Sequence, residues 1–179
     1  MDRFMFQMWF PTHTYAAMKR IIGYRNAAHA MKQIDKLELV MGLDDIEAAQ
    51  KQVEENIALG DAERQIVAIY LCCCPDTDSR MPPGWRRPEI ADSVLMGPGA
   101  RALRDFMQAA RGLIYLRGGA PMTMQAVKEL ARPVLRHRII LKRTLKPEYQ
   151  GKPIHEQVDL FIGHAIEEAE KRWDKLPLW

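Results

Sequence analysis

Residues 97–102, with the sequence GPGARA, place two glycines and an arginine at the predicted start of a helix. Glycines let a backbone approach a ligand closely, and the N-terminus of a helix carries exposed N–H groups and a partial positive charge. Arg101 would add a bidentate donor for phosphate in the first helical turn. This arrangement is typical of a phosphate-binding turn, although Gly-Pro-Gly is also a common way for a loop to enter a helix.

The densest basic stretch of the chain lies further on and forms a second candidate site. Its basic residues are Arg132, Arg136, His137, Arg138, Lys142, Arg143 and Lys146. A nucleic-acid groove is one interpretation, but no aromatic residues are interleaved to stack on bases. The pattern therefore favours a solvated or interdomain basic face.

The cysteines and histidines do not predict a metal site. Cys72, Cys73 and Cys74 are adjacent, whereas zinc ligands are separated by intervening residues. We expect three buried free thiols in a reducing cytosol. The five histidines show no HExxH or paired ligand spacing, and Asp76-Thr77-Asp78-Ser79 lacks the downstream residues of a calcium loop.

The sequence also lacks the residues that nucleotide hydrolysis requires. It contains no GxxxxGK[ST] loop to hold the β- and γ-phosphates, and no apolar run that ends in Asp-Glu to hold magnesium. We therefore expect that this chain does not hydrolyse ATP by itself and that it binds nucleotide weakly.

Length and composition set broad limits on the protein. A chain of 179 residues suffices for one hydrophobic core, and its 47% apolar and 27% charged residues are typical of soluble globular proteins. The net charge of +3 does not demand a nucleic-acid partner. The longest apolar runs fall short of the ~20 residues of a membrane span, and no secretory signal is evident. We expect a cytoplasmic protein.

The hydrophobic pattern predicts a mostly helical chain. Residues 4–10 (FMFQMWF) are apolar on both faces, which favours a buried strand, with a short buried helix as the alternative. Residues 75–99 are too rich in proline for a regular helix and predict a long loop, with or without a small hairpin. The expected helix boundaries are Thr12 or Thr14, Asp44 with Glu47, Asp61 and Thr123 as N-caps, and Gly118-Gly119 as a C-terminal stop.

Three short segments resemble one known family. Residues 2–7 (DRFMFQ) are similar to a Leu-Asp-Arg-Phe segment, and residues 97–102 are similar to a Gly-x-x-x-Arg-Ala lid motif. Residues 131–139 (ARPVLRHRI) resemble an Ala-x-Pro-Val-Leu-Arg-His-Arg signature and are the most specific of the three. The family is that of the MoxR-type AAA+ ATPases. The order of the motifs matches, and the resemblance covers roughly residues 1–145.

The resemblance implies a mostly α fold, in which a helical AAA+ lid domain is preceded by one strand and one helix of an α/β P-loop core. The rest of that core is absent from the sequence. On this basis residues 1–30 are a C-terminal remnant of the core and residues 31–145 are the lid with its loop at 75–99. Residues 146–179 are an amphipathic C-terminal helix and tail. Met1 stands where the family has leucine, which is consistent with a truncated gene.

The resemblance also implies roles for individual residues. Arg3 matches the position of an arginine finger that reaches the γ-phosphate of a neighbouring subunit, and Arg101 matches the sensor-2 arginine. Gly97 and Gly99 would let the backbone approach the nucleotide. The cofactor of the intact family protein is ATP with magnesium. Arginines placed in this way stabilise the charge that develops during phosphoryl transfer.

The partners implied by the resemblance are other copies in a ring, proteins with von Willebrand factor A domains, and protein clients of a chaperone-like remodelling machine. Two other classes of function stay open. One is a stand-alone helical module that docks on a partner ATPase and lends it Arg3. The other is a small basic protein that binds phosphate or nucleic acid through residues 97–101, which predicts a steep salt dependence of binding.

Overall fold

A computed structural model describes residues 4–8, 14–23, 38, 40–75, 81–143 and 147–176. The chain divides into two compact units. The larger unit combines Met1–Gln7 with Gln52–Trp179, and the smaller unit is Met8–Lys51. No helix in the described ranges is both long enough and apolar enough to cross a bilayer.

The smaller unit contains helix α1 (Tyr15–Gly23) and the first part of helix α2 (Leu43–Asn56). The backbone N–H of Ala17 donates to Thr14 Oγ1 at 3.2 Å, which confirms Thr14 as a cap, whereas Thr12 lies outside the described residues. Helix α2 has no buried residue.

The start of α2 differs from the prediction. The helix begins at Leu43, so Asp44 is already helical and is not the N-cap. Asp45 instead reaches back, and its Oδ2 accepts a hydrogen bond from the Gly42 N–H at 2.8 Å. This is the reciprocal half of a capping box, placed two residues earlier than expected.

The larger unit is built on four helices within its described part: α3 (Asp61–Cys72), α4 (Ala100–Leu116), α5 (Met124–Leu135) and α6 (Ile154–Glu170). Helix α3 lies at the centre, because it packs against α4, α5 and α6 and is buried over nearly its whole length. The amphipathic helix expected within residues 146–179 is α6, where Val158, Phe161 and Ile162 are buried, whereas Ile154 at its start is 79% exposed.

The boundaries of these helices follow local chemistry. Thr123 caps α5 as predicted, since its side chain accepts from the Ala126 N–H at 3.2 Å. Gly118 and Gly119 end α4 with φ angles of 69° and 86°, a conformation that glycine adopts at little cost. Asp61 is the first residue of α3, and Gly60 occupies the N-cap position that was predicted for Asp61.

A small antiparallel sheet completes the larger unit. Strand β1 (Val94–Met96) pairs with strand β2 (Ile140–Leu141), with Val94 opposite Leu141 and an irregularity in the register. Short 3-10 helices at Glu89–Ser93, Arg136–Arg138, Pro147–Tyr149 and Trp173–Lys175 connect the main elements. The predicted mostly α fold is confirmed, and the long loop before α4 pairs with a distant strand and forms no hairpin of its own in its described part.

The strand expected at residues 4–10 is not formed over residues 4–8, and Trp9 and Phe10 lie outside the described residues. Phe4 and Met8 are 70% and 69% exposed, so the segment is not buried on both faces. Its backbone groups bond to the end of α5 and to the turn that follows. With no strand beside it in the described part of the chain, the segment obtains its hydrogen-bond partners from a helix end.

Candidate functional site: the first turn of α4 and the segment bound to it

The first turn of α4 has the features of an anion-binding helix end. Gly99 is the N-cap residue, and no side chain from the described part of the chain caps the helix there. No acidic residue lies in the first turn, and Arg101 is exposed in it. The partial positive charge of the helix N-terminus is therefore not offset within this turn.

The chain is held tightly just before this turn. A Cβ atom added to Gly97 would lie 2.6 Å from the carbonyl oxygen of Cys73 and 2.6 Å from Cδ of Pro75. Pro98 is fully buried beside it. Close packing against the end of α3 is thus a sufficient structural reason for the glycine at position 97. The roles near a nucleotide that the sequence predicts for Gly97 and Gly99 stay predictions.

Two of the three adjacent cysteines, Cys73 and Cys74, lie against Gly97. Cys72, Cys73 and Cys74 are fully buried and free of disulfides, which confirms the predicted buried thiols. Burial raises the pKa of the Cys72 thiol to about 12 and the pKa of Cys73 well above its usual range. No group of His, Cys, Asp or Glu in the described ranges has the arrangement of a metal site.

The turn after α5 carries the next part of the site. Arg138 lies in the 3-10 helix Arg136–Arg138, and its side chain is only 2% exposed. Its Nη2 donates to Asp105 Oδ2 on α4 at 2.6 Å and to the carbonyl oxygen of Phe4 at 2.6 Å. One buried guanidinium therefore joins the helix that carries Arg101 to the N-terminal segment.

Two further hydrogen bonds fix the N-terminal segment at this place. The Nε2 atom of His137 lies 2.8 Å from the carbonyl oxygen of Phe4. The Gln7 N–H donates to the carbonyl oxygen of Pro133 at 2.8 Å, in the last turn of α5, where carbonyl groups lack partners within the helix. Residues 4–7 thus contact the segment at residues 131–139, and Arg138 links both to Asp105 on α4, the helix that begins within residues 97–102. Arg3 itself lies outside the described residues.

Arg136 makes a separate ion pair from the same turn. Its Nε and Nη2 donate to the two carboxylate oxygens of Asp159 on α6, both at 2.6 Å. The interpretation of this stretch as a solvated face is therefore wrong for Arg136 and Arg138, because each neutralises an acid of the larger unit. Arg132, Lys142 and Arg143 are exposed as expected, and Lys146 lies outside the described residues.

Asp105 and the buried role of Arg138 are the functional candidates that sequence reasoning missed. The available signal was the position of Asp105, four residues after Arg101 and hence on the same helical face. Nothing local indicated its partner, which lies 33 residues away along the chain.

The comparison with protein families agrees with this geometry. Residues 91–159 match the family model described as the AAA lid domain, and the match covers less than half of the chain. It begins in the 3-10 helix before β1, includes α4, α5 and the Arg136–Arg138 turn, and ends in α6. Neither the curated proteins nor the solved structures gave a match.

The larger unit is mostly helical, and its residues 91–159 are similar to an AAA lid domain. The matched segment supports a lid fragment of an AAA+ ATPase, and the match is not specific to one subfamily.

Proposed function

We propose that the chain is the C-terminal part of a MoxR-like AAA+ ATPase that remodels protein complexes. The observation that carries the proposal is the position of Arg101 at the start of α4, within residues that match an AAA lid domain. Arg138 supports it by joining that helix to Phe4, the residue that directly follows Arg3.

In this proposal Arg101 acts as the sensor-2 arginine. It is exposed, and it stands beside a helix N-terminus that no side chain of the described residues caps and that has no acid in its first turn. This arrangement fits the terminal phosphates of a nucleotide. Bound ATP with magnesium would supply the phosphoryl group that is transferred to water. Arg101 would hold the phosphate oxygens and thereby tie the lid to the nucleotide state.

Arg3 is proposed as an arginine finger that acts on the nucleotide of a neighbouring subunit. A finger supplied in trans requires an assembly in which subunits adjoin, and we therefore propose a homo-oligomeric ring. We also propose ATP with magnesium as cofactor of the intact protein, a cytoplasmic location, protein clients and a partner with a von Willebrand factor A domain. Residues 1–30 would belong to the core and residues 31–145 to the lid.

The first test is to read the DNA upstream of the Met1 codon. A reading frame that continues into a GxxxxGK[ST] loop supports the proposal. The opposite result is an in-frame stop codon upstream of Met1, with a ribosome-binding site between the two and no such loop in the frame. It would contradict the proposal that the chain is part of an ATPase.

The second test is ATP hydrolysis by the extended protein that this frame encodes. Arg101→Ala should lower kcat/KM by about 10–150-fold, the value of a hydrogen bond to a charged group. Arg3→Ala should lower kcat by about 10³–10⁵-fold. Arg104→Ala is the matched control, because it removes an exposed arginine from the next turn of α4. Wild-type rates in both Arg3→Ala and Arg101→Ala would refute the assigned roles.

A stand-alone docking module is the second candidate. It is favoured by the apolar side chains at the start of α2, where Val40 is 89% exposed and Leu43 is 79% exposed. Large contiguous apolar patches on a surface mark sites of contact with other proteins or membranes. This candidate predicts co-purification with a subunit that contains a P-loop, without the steep salt dependence expected of a nucleic-acid binder.

A further inference from the structure

Arg138 bonds to two parts of the larger unit that are far apart along the chain. Its Nη2 bonds at 2.6 Å to Asp105, and at the same distance to the carbonyl oxygen of Phe4, which is 134 residues away along the chain. Its side chain is almost completely shielded from water. A buried charge needs an opposite charge and hydrogen-bond acceptors, so this guanidinium holds both of these groups in place.

Asp105 places this contact close to Arg101. The two residues are four apart on α4 and therefore lie one turn apart on the same face of the helix. A negative charge that binds at Arg101 acts on the carboxylate of Asp105, and Asp105 is bonded to the guanidinium that holds Phe4. The path from Arg101 to residues 4–7 thus consists of one helical turn, one ion pair and one hydrogen bond.

We infer that Arg138 is a positioning residue that couples the first turn of α4 to residues 4–7. It keeps the N-terminal segment in a fixed place relative to the helix that carries Arg101, and it transmits a change at Arg101 to that segment. The coupling to nucleotide rests on the proposed function, in which residues 4–7 directly follow Arg3, the proposed arginine finger. The mechanical link is a property of the chain whatever its function.

Arg136 offers a matched control. It lies two residues earlier in the same turn, its side chain is 15% exposed, and it bonds to Asp159 on α6 with both oxygens at 2.6 Å. Arg136→Gln therefore removes an ion pair of the same type from the same turn. It leaves the hydrogen bonds to Phe4 in place.

The link is tested by hydrogen–deuterium exchange of this chain, followed in peptides that cover residues 4–8. The Gln7 amide is bonded to Pro133 and should exchange slowly in the wild type. Arg138→Gln should accelerate exchange in this segment at least tenfold, while Arg136→Gln should not, and amides of α3 report whether either variant is globally destabilised. An unchanged rate in Arg138→Gln, or an equal acceleration in both variants, would overturn the inference.

A second variant covers the case in which Arg138→Gln does not fold. Asp105→Leu combined with Arg138→Met replaces the ion pair with apolar side chains, which proteins often tolerate. It also removes the hydrogen bond from Arg138 to Phe4, so the same acceleration at residues 4–8 is expected. Slow exchange in the folded double variant would refute the role of Arg138.

The coupling to nucleotide is tested in the extended protein. Arg138→Gln should lower kcat for ATP at least about tenfold with little change in KM, because a misplaced catalytic group affects the transition state more than ground-state binding. Arg136→Gln should keep the wild-type kcat. If Arg138→Gln kept the wild-type kcat while Arg3→Ala and Arg101→Ala were impaired, the coupling would be overturned and the proposed function would stand. Wild-type rates in Arg3→Ala and Arg101→Ala would instead refute the proposed function. The link between Arg138 and residues 4–7 would then be judged by hydrogen–deuterium exchange alone.

Discussion

Gly97 and Gly112 allow a paired test of how the turn before α4 is packed. At Gly97 a Cβ atom would lie 2.6 Å from the carbonyl oxygen of Cys73 and from Cδ of Pro75, and 3.3 Å from Cα of Cys74. At Gly112, in the middle of α4, an added Cβ atom would have no heavy atom within 4 Å. The same substitution by alanine should therefore have opposite effects at the two positions.

The neighbours of Gly97 cannot yield easily. The Cys73 and Cys74 amides donate to Tyr70 and Leu71 at 3.0 and 3.2 Å, so moving this backbone would break the hydrogen bonds that end α3. We expect Gly97→Ala to destabilise the larger unit by about 2–3 kcal/mol, the upper part of the range for an overpacked site.

Gly112→Ala is expected to stabilise the protein. Alanine has a lower conformational entropy cost than glycine inside a helix, and the site has room for the methyl group. The gain should be about 0.5–1 kcal/mol.

Urea denaturation monitored by far-UV circular dichroism measures both variants, and their midpoints can be compared if the m-values agree with that of the wild type. The reasoning would be refuted if Gly97→Ala stayed within about 0.5 kcal/mol of the wild type, the range of an ordinary surface substitution. It would also be refuted if both variants shifted in the same direction.

Three further predictions concern the N-cap of α5 and the cysteines. Thr123→Ala should lower the free energy of unfolding, measured by urea denaturation, by about 1 kcal/mol, because the Ala126 N–H loses its acceptor. Thr123→Ser keeps a hydroxyl acceptor and should retain most of the wild-type stability. Iodoacetamide should alkylate the three cysteines at about pH 8 only after unfolding; equal labelling of native and unfolded protein would contradict this. The raised thiol pKa values also set a pH dependence, since above pH 9.0 the unfolded chain loses the proton of Cys72 that the folded chain keeps until about pH 12. Stability should be unaffected by this thiol below pH 9.0 and should fall as the pH rises from 9.0 towards about 12. A Cys72→Ala variant should show a smaller slope.

The features that the sequence predicted correctly depend on residues that lie close together along the chain. Thr14 and Thr123 bond to amides three residues later, so a pattern of a few residues contains the whole interaction. The errors at Asp44 and Asp61 are shifts of one or two positions, because glycines at 42 and 60 take the N-cap positions. Helix ends are sensitive to such small differences.

The N-terminal segment shows where local reasoning fails. An apolar run at residues 4–10 favours a strand only if a neighbouring strand is available. In the structure Gln7 bonds to Pro133 near the end of α5, and Phe4 bonds to His137 and Arg138 in the turn that follows. Nothing in the run itself contains that information.

The amino-acid sequence by itself determined the helices of the larger unit, the Thr123 cap, the buried thiols and the motifs that resemble an AAA+ lid. These features follow from periodicity and from contacts within one helical turn. Only the tertiary structure decided that Gly97 packs against Cys73, that Arg136 pairs with Asp159 and that Arg138 joins α4 to Phe4. Such contacts link residues that are 23 to 134 positions apart, and their partners are selected by the packing of the whole core.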